Sequence, residues 1–341
     1  MNPAMRPKVV RALLVAFAVL LPQSAKAQTP APNDPVFRVN VRVEVVDAQV
    51  INKKTRKVIS SLQREDFQVY EDNVRQEISS FSQDELPISI VFLFDLTDSV
   101  RPVLKSLAEN AREVLQHLRP QDEVAVMVYA ASAQLLQDST TDRALAVAAI
   151  DRASRMESRE AAFFNEGIFQ AAAQLEKSSE PGSRRVIIWL TDDVPNIPSE
   201  EVRATLGNSV REGTLHTQKD ALVEVLKTGA TVCTLLKKSE ISDHEDSNRS
   251  SAKTIGSMLY PPGDVYKYAQ ATGGQVIEAS PKKMKVRIAQ LIDDLRLRYS
   301  LSYHPSREKP KGKFCAIKVK VAPHVKSQGD VLVEVKQGYY R

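Results

Sequence analysis

The sequence has 341 residues, of which 43% are hydrophobic and 26% are charged, so it can form two or three domains with at least one large core. It contains 47 basic and 42 acidic residues, but four of the basic ones lie in the first 27 positions, which hold no acid. The remainder is nearly balanced, with 43 basic residues against 42 acidic ones. This excludes a role based on overall positive charge, and we expect no nucleic acid as a partner.

The N-terminus has the pattern of an export signal. An apolar run occupies residues 12–21, and small residues at 25 and 27 form a signal-peptidase site with cleavage after Ala27. Three basic residues precede the run: Arg6, Lys8 and Arg11. A membrane anchor is the alternative, but ten apolar residues are too short to cross a bilayer, and no later stretch is long enough. We therefore expect residues 1–27 to be removed, residues 28–36 to be a linker, and the mature protein to be periplasmic or secreted.

Residues 37–86 are predicted to form a small β unit. Apolar and polar residues alternate over 37–46, which is typical of a strand with one buried face. The segment 66–82 is predicted to form two strands joined at Asp72 and Asn73, because these residue types tolerate a tight turn.

Residues 87–298 have a different pattern, in which short apolar runs alternate with amphipathic segments. The apolar runs, typical of strands buried on both faces, are 88–94, 123–130, 185–190, 230–236 and 274–279. The segments with helical spacing are 102–118, 142–155, 166–179, 217–228, 264–272 and 282–298. This alternation predicts an α/β fold with a doubly wound, mostly parallel sheet. Residues 238–262 have almost no apolar periodicity and are predicted to be a flexible insertion.

The C-terminal segment 299–341 again alternates as β-strands do, and we expect it to pack on the N-terminal β unit. Cys233 and Cys315 are expected in different cores, which argues against a disulfide between them. The lysine-rich segments 281–287 and 306–314 make this end of the chain basic. We interpret them as solvated surface in preference to a site for an anionic ligand.

Hydroxyl and carboxylate side chains follow two of the apolar runs. Asp95, Thr97 and Ser99 come directly after the first run, and Thr191 and Asp192 follow the third. Ligands of open α/β sheets bind beyond the carboxyl ends of the strands. If the two strands are neighbours, the carboxylates repel each other, and a hard divalent cation such as Mg²⁺ relieves that repulsion. The sequence therefore predicts a metal site formed by Asp95, Thr97, Ser99 and Asp192.

The order of these features resembles a von Willebrand factor type A (VWFA) domain with its metal-ion-dependent adhesion site. The motif Asp-x-Thr-x-Ser at 95–99 and the later Leu-Thr-Asp at 190–192 carry the resemblance. Flanking segments at 64–82, 268–279 and 297–341 are similar to the VWFA-related proteins of Acidobacteria. The resemblance thus covers nearly the whole chain after the signal segment and implies a Rossmann-like domain with an accessory β unit built from both chain ends.

The resemblance also implies roles for the site residues. Thr97 and Ser99 would contact the metal directly, Asp95 and Asp192 would hold its water ligands, and an acidic side chain of a partner protein would complete the coordination. The chain departs from the family in the loop before the next helix: Ala162 stands about where the family has a further threonine ligand, and the glycines that usually precede that threonine are missing.

Two outcomes of this departure stay open. Glu160, Asn165 or Glu166 could replace the missing ligand and keep Mg²⁺ in the site. Alternatively, the site has lost its metal and binds a partner without it.

Three other interpretations compete with a binding site. Asp95 or Ser99 could simply cap the helix that follows. The chain could be a haloacid-dehalogenase-like phosphohydrolase with Asp95 as nucleophile and Asp192 or Asp193 as a Mg²⁺ ligand, although Thr97 stands where such enzymes have a second aspartate. It could also be a purely structural scaffold.

The sequence has no Gly-x-Gly-x-x-Gly after a predicted strand, no Gly-x-Ser-x-Gly and no ligand-spaced histidine pair. We expect a non-enzymatic protein-binding module, with its partner and oligomeric state left open.

Overall fold

The computed structural model describes most of the chain after residue 41. The described ranges are 42–83, 86–158, 162–180, 182–193, 216–237, 265–278, 280–307, 309–326 and 330–341. The predicted signal segment 1–27, the linker 28–36, the first residues of the β unit and the insertion 238–262 lie outside these ranges, so they remain predictions. The predicted domain boundaries likewise remain predictions. None of the described helices is long and apolar enough to cross a membrane.

The described strands and helices alternate along the central part of the chain, and strands dominate at both ends. The strands are β1 (Glu44–Asn52), β2 (Phe67–Glu71), β3 (Val74–Gln76), β4 (Ile78–Gln83), β5 (Ile88–Asp95), β6 (Glu123–Tyr129), β7 (Ala133–Thr140), β8 (Arg184–Thr191), β9 (Thr231–Leu236), β10 (Val276–Glu278), β11 (Tyr299–Tyr303), β12 (Phe314–Val321), β13 (Val331–Val335) and β14 (Gly338–Tyr340). The helices are α1 (Arg101–Leu115), α2 (Arg143–Arg155), α3 (Phe164–Leu175), α4 (Gln218–Thr228), α5 (Val265–Thr272), α6 (Met284–Arg296) and the short α7 (Pro323–Lys326).

A six-stranded sheet in the order β10-β9-β8-β5-β6-β7 forms the centre of the molecule. The first five strands in this order are parallel, and every residue of β5 and β6 is buried, as their continuous apolar sequences predict. The prediction of a mixed α/β fold with a mostly parallel sheet is confirmed. The edge strand β7 pairs antiparallel with β6 and was not predicted, because its half-exposed sequence has no regular alternation.

Helices cover both faces of this sheet and form two separate cores with it. Alternate residues of β5 point into opposite cores: Phe92 and Phe94 pack with α1, α2 and α6, whereas Val91 and Leu93 pack with α3, α4 and α5. Trp189 of β8 is fully buried in the second core, as predicted. Because β5 is packed on both faces, its position sets where its last residue, Asp95, lies at the edge of the sheet.

Strands from both ends of the chain form two smaller antiparallel sheets, with the orders β13-β1-β11-β4 and β14-β12-β2-β3. They share a third core, which confirms that the C-terminal strands pack on the N-terminal β unit. The predicted turn between β2 and β3 is also confirmed, because Asp72 and Asn73 both have positive φ. Cys315 lies in this third core and Cys233 in the first, and both are free thiols.

An ion pair between the buried Arg184 and the partly exposed Asp47 connects the parallel sheet to these smaller sheets. The guanidinium of Arg184, at the start of β8, donates from Nε to the Asp47 carboxylate of β1 (3.1 Å) and from Nη2 to Ser300 Oγ of β11 (3.1 Å). Burial alone would raise the pKa of Asp47, but the charge of Arg184 and the hydrogen bond from Ser300 lower it overall. Asp47 therefore stays ionised and holds the two parts together.

Gly273 lies where α5 meets the C-terminal strand β13. Its φ is +72°, and a Cβ at this position would lie 2.5 Å from the carbonyl carbon of Val335. Its carbonyl oxygen accepts a hydrogen bond from the buried Arg298. Only a residue without a side chain fits between these elements, so the close approach of β13 depends on glycine.

We predict that Gly273→Ala destabilises the protein far more than Gly229→Ala. Gly229 has nearly the same φ, +70°, but a Cβ there would meet nothing within 4 Å. Backbone strain should cost each variant about 1–2 kcal/mol, and overpacking should cost Gly273→Ala a further 1–3 kcal/mol or so. Urea unfolding of both variants measures the difference. Equal losses would show that the contact with Val335 does not constrain this junction.

Candidate metal site at the strand ends

The polar ends of β5 and β8 lie side by side because these strands are parallel neighbours. Phe94 pairs with Leu190, which places Asp95 and Thr191 at the same edge of the sheet. On the other side of β5, Asp95 pairs in register with Tyr129, the last residue of β6. Three adjacent strand ends therefore surround one carboxylate.

The Asp95 carboxylate is only 1% exposed and is held by three hydrogen bonds. Oδ1 accepts from the backbone N–H of Thr97 at 2.9 Å. Oδ2 accepts from the hydroxyl of Tyr129 at 3.0 Å and from Oγ1 of Thr191 at 3.1 Å. Tyr129 is itself oriented by the indole N–H of Trp189, which donates to its hydroxyl oxygen at 3.0 Å. This network fixes the position and direction of the loop that follows β5.

The charge of Asp95 is nevertheless unfavourable where it lies. Burial, and secondarily the nearby Asp192 carboxylate, raise its pKa to about 6, although the hydrogen bonds from Thr97 and Tyr129 oppose the shift. The same burial, together with the charge of Asp95, raises the pKa of Tyr129 well above its ordinary value, so its phenol stays neutral and donates.

The structure brings all four predicted site residues together. Thr97 Oγ1 lies 3.3 Å from Ser99 Oγ, and Ser99 Oγ donates a hydrogen bond to the Asp192 carboxylate from the other strand end. Asp95 lies behind them through its bond to the Thr97 backbone. Two hydroxyls and a carboxylate oxygen thus form a rim above a buried carboxylate.

The interpretation of Asp95 or Ser99 as a mere helix cap is wrong. Helix α1 begins at Arg101 after Val100, and no side chain accepts a capping hydrogen bond there. The Ser99 hydroxyl is instead engaged with Asp192 and Thr97.

Ala162, the residue in place of the expected threonine ligand, is buried just before α3 and packs in the second core. The candidate replacements are engaged elsewhere. Glu166 accepts from His216 (Nδ1···Oε2 2.6 Å) and from Gln170 (2.8 Å), and Asn165 accepts from the hydroxyl of Tyr268 at 2.8 Å. Glu160 lies outside the described residues.

Other polar residues at this edge were not predicted to contribute. Tyr129 was interpreted only as part of a buried strand, although alignment of the strand ends would have placed it beside Asp95. Arg101 bridges two exposed carboxylates, Asp98 at 2.6 Å and Glu157 at 2.5 Å. Asp193 has a φ of +62°, and its side chain accepts from the backbone N–H of Val265 at 3.3 Å.

The rim suits a hard divalent cation only in part. Thr97 and Ser99 offer neutral hydroxyl oxygens and Asp192 offers a carboxylate, which is the oxygen donor set that Mg²⁺ prefers. Asp95 and Asp192 place two carboxylates at this edge, and a positive charge between them would offset their repulsion. Ala162 contributes only a methyl group, so the set has one oxygen fewer than the resemblance implies. The residues present therefore fit a hard divalent cation, but they offer it an incomplete set of oxygen ligands.

Comparison with known proteins gives a family match for the central part of the chain. Residues 90–194, which include β5, β8 and the rim, match the family model of the von Willebrand factor type A domain. This match covers about a third of the chain. A search of curated proteins found no match.

The solved structures that match this chain do so at low sequence identity. The SpaC pilus adhesin of Lactobacillus rhamnosus GG is 14% identical over 73% of this chain and 34% of its own, with a TM-score of 0.41. The PilB minor pilin of Streptococcus sanguinis is 12% identical over 63% of this chain and 62% of its own (TM-score 0.41). A von Willebrand factor type A protein of Catenulispora acidiphila is 12% identical over 78% of this chain and 72% of its own (TM-score 0.44). This chain thus spans only about a third of the adhesin.

We predict that Asp95→Asn removes a loss of folding stability that the metal-free protein shows as the pH rises. Because the pKa of Asp95 is about 6 when folded and 3.8 ordinarily, its contribution is complete below about pH 4 and is lost as the pH rises through 6. The loss amounts to about 3 kcal/mol. In chelator, the variant should gain stability relative to wild type at pH 7.5 but not at pH 4.

Urea unfolding at both pH values provides the measurement, and Asp98→Asn is the control. Asp98 is an exposed carboxylate on the same loop, and its replacement should not reproduce the gain in stability at pH 7.5. A gain for Asp95→Asn that does not change with pH would contradict the assignment of a strained charge.

Proposed function

We propose that this protein is a non-enzymatic protein-binding module that recognises an acidic group of a partner through the rim formed by Thr97, Ser99 and Asp192. The observation that supports this most directly is the convergence of hydroxyl and carboxylate oxygens from two distant chain segments at one strand edge. The side chains that form the rim are exposed enough to be reached, whereas the carboxylate that supports them is buried. Such an edge binds ligands in open α/β sheets.

Mg²⁺ is the cofactor that the donor atoms fit best. Thr97, Ser99 and Asp192 would hold the ion, and Asp95 would support it from behind through the Thr97 backbone. A bound cation supplies the positive charge that a partner carboxylate needs at this otherwise acidic rim. Without the cation, the Ser99–Asp192 hydrogen bond still holds the rim residues together. Binding of the partner without metal is therefore the second form of the proposal.

The buried state of Asp95 argues against the phosphohydrolase alternative. A nucleophilic carboxylate needs an oxygen that can reach the substrate, but both oxygens of Asp95 accept hydrogen bonds and the residue is 1% exposed. Thr97 also cannot serve as the second acid of such enzymes. The scaffold alternative differs from the proposal only in having an inert rim.

The proposed location is the periplasm or the outside of the cell, because residues 1–27 have the features of a removable signal. A pull-down from an envelope extract, with and without chelator, would identify the partner. Capture by the wild type but not by Asp192→Ala would support recognition through the rim.

We predict that Mg²⁺ raises the unfolding temperature of the wild type and that Ser99→Ala abolishes this effect. An ion that binds only the folded state stabilises it by about 2.7 kcal/mol at a hundred times its Kd. Ala162→Thr should lower the Kd for Mg²⁺ about tenfold, the effect of about 1.4 kcal/mol from an added ligand. Thermal unfolding over a Mg²⁺ titration measures both.

Asp98→Ala is the matched control, because this acid lies on the same loop but pairs with Arg101. Its Mg²⁺ response should equal that of the wild type. If neither the wild type nor Ala162→Thr responds to Mg²⁺ or Mn²⁺, the metal-dependent form of the proposal fails and binding without metal remains.

A further inference from the structure

The outer face of the sheet β14-β12-β2-β3 is basic and aromatic. Strand β12 alternates strictly, so its buried residues form the third core and the others point to solvent. The outward residues of β12 are Phe314, Ala316, Lys318 and Lys320. The neighbouring strands add Gln68, Tyr70, Arg75 and Tyr340 to this face. None of these outward strand residues is acidic. We call these eight residues the basic face.

Three cationic residues lie next to Tyr70 on the basic face. Lys318 lies directly opposite Tyr70 in the register of β12 and β2, and Tyr70 lies opposite Arg75 in β3. The ammonium of Lys320 lies over the Tyr70 ring, 5.0 Å from its centroid. No described carboxylate forms an ion pair with any of the three. Their charges are therefore not neutralised within the described part of the protein, and the ring holds Lys320 in place.

A second aromatic pair extends the basic face at the other end of β12. The rings of Phe314 and Tyr340 are 5.2 Å apart and tilted by 58°. Phe314 is 39% exposed although it is apolar, and its ring lies across the backbone of Gly338, where a Cβ would collide with it. This pair presents exposed apolar surface beside the lysines of the same strand.

The aromatic pair also forms one wall of a groove with a volume of about 480 Å³. The opposite wall comes from α4 and α5 and contributes two more lysines, Lys219 and Lys267, together with Leu222 and Leu226. The groove and the basic face are thus continuous through Phe314 and Tyr340. Together they form a strip in which positive charges alternate with apolar surface.

We propose that this strip binds a linear acidic polysaccharide, a polymer of sugar rings that carry carboxylates. Lysine and arginine would pair with the carboxylates, and the apolar groove lined by Phe314, Tyr340 and Leu222 would contact the apolar faces of the sugar rings without needing an open aromatic face. None of the strands that form the strip contributes to the rim, so this binding is independent of the proposed function.

The geometry favours a polysaccharide over single-stranded nucleic acid. Bases stack on aromatic side chains whose ring faces are open. One face of Tyr70 is covered by Lys320, and Phe314 and Tyr340 tilt against each other instead of presenting parallel faces. An acidic peptide would use the charges but has no rigid apolar ring to place on the aromatic surface.

The experiment measures binding of the purified chain to polygalacturonate by calorimetry at moderate salt, with neutral dextran beside it. We expect binding to polygalacturonate and none to dextran. The double variant Lys318→Glu/Lys320→Glu should weaken binding at least about 30-fold, the effect of two lysines near an anionic surface. Higher salt should weaken the wild-type interaction, because exposed charges are screened. Ser99→Ala and chelator should leave it unchanged, which separates this site from the rim.

The matched control is Lys282→Glu/Lys283→Glu, which changes the net charge by the same amount in the lysine-rich segment 281–287. Both lysines are exposed, and this variant should bind like the wild type. If charge reversal on β12 prevents folding, Lys318→Gln/Lys320→Gln tests the same contacts. The proposal is overturned by absent polygalacturonate binding or by an equal loss in the control variant. Equal affinity for poly-glutamate or single-stranded DNA of matched charge would also overturn it.

Discussion

The buried carboxylate of Asp95 is the group on which the geometry of the strand edge depends. It lies at the end of the central strand β5, between two strands whose last residues, Tyr129 and Thr191, both donate hydroxyl hydrogen bonds to it. Its other oxygen accepts from the backbone of Thr97, which sets the direction of the following loop. Ser99 then reaches Asp192, and the two strand ends are joined. Because each step fixes the next, removing these hydroxyl donors would leave a buried acceptor unsatisfied and release the loop.

This arrangement stores electrostatic strain. Burial and the nearby Asp192 charge disfavour ionised Asp95, and three hydrogen bonds only partly offset that cost. Strain of this kind is common at binding sites, since a ligand of opposite charge relieves it. Ala162 reduces the number of oxygens available to a cation, but the Ser99–Asp192 hydrogen bond maintains the rim. The protein thus combines an electrostatic demand for a cation with a weakened means of holding one.

The sequence predicted the strands that are buried on both faces, because a continuous apolar run indicates such a strand. It did not predict features that depend on contacts between residues far apart in the chain. Continuous apolar runs identified the parallel strands, and the strand ends identified Asp95 and Asp192. The edge strand β7 was missed because it is half exposed and has neither pattern. Glu166 looked available as a ligand because its partner, His216, is 50 residues away in the chain. Tyr129 was interpreted as a core residue because its ring is apolar and lies in a buried strand. Its hydroxyl group, which donates to Asp95, gives it a role at the site.

The same reasoning explains why the basic face could not be recognised from the sequence. Lys318 and Lys320 alternate with core residues, so in one dimension they are simply the solvent side of a strand. Only the register of three strands shows that Arg75 and Tyr70, more than 240 positions earlier, lie in the same row as Lys318. The chain ends meet in this sheet because neither can bury its apolar face alone. The alternation that buries one side of β12 against that shared core necessarily gathers its lysines on the other. The clustering of these lysines therefore follows from the way β12 packs on the shared core. Core formation does not explain why no described carboxylate pairs with Lys318, Lys320 or Arg75.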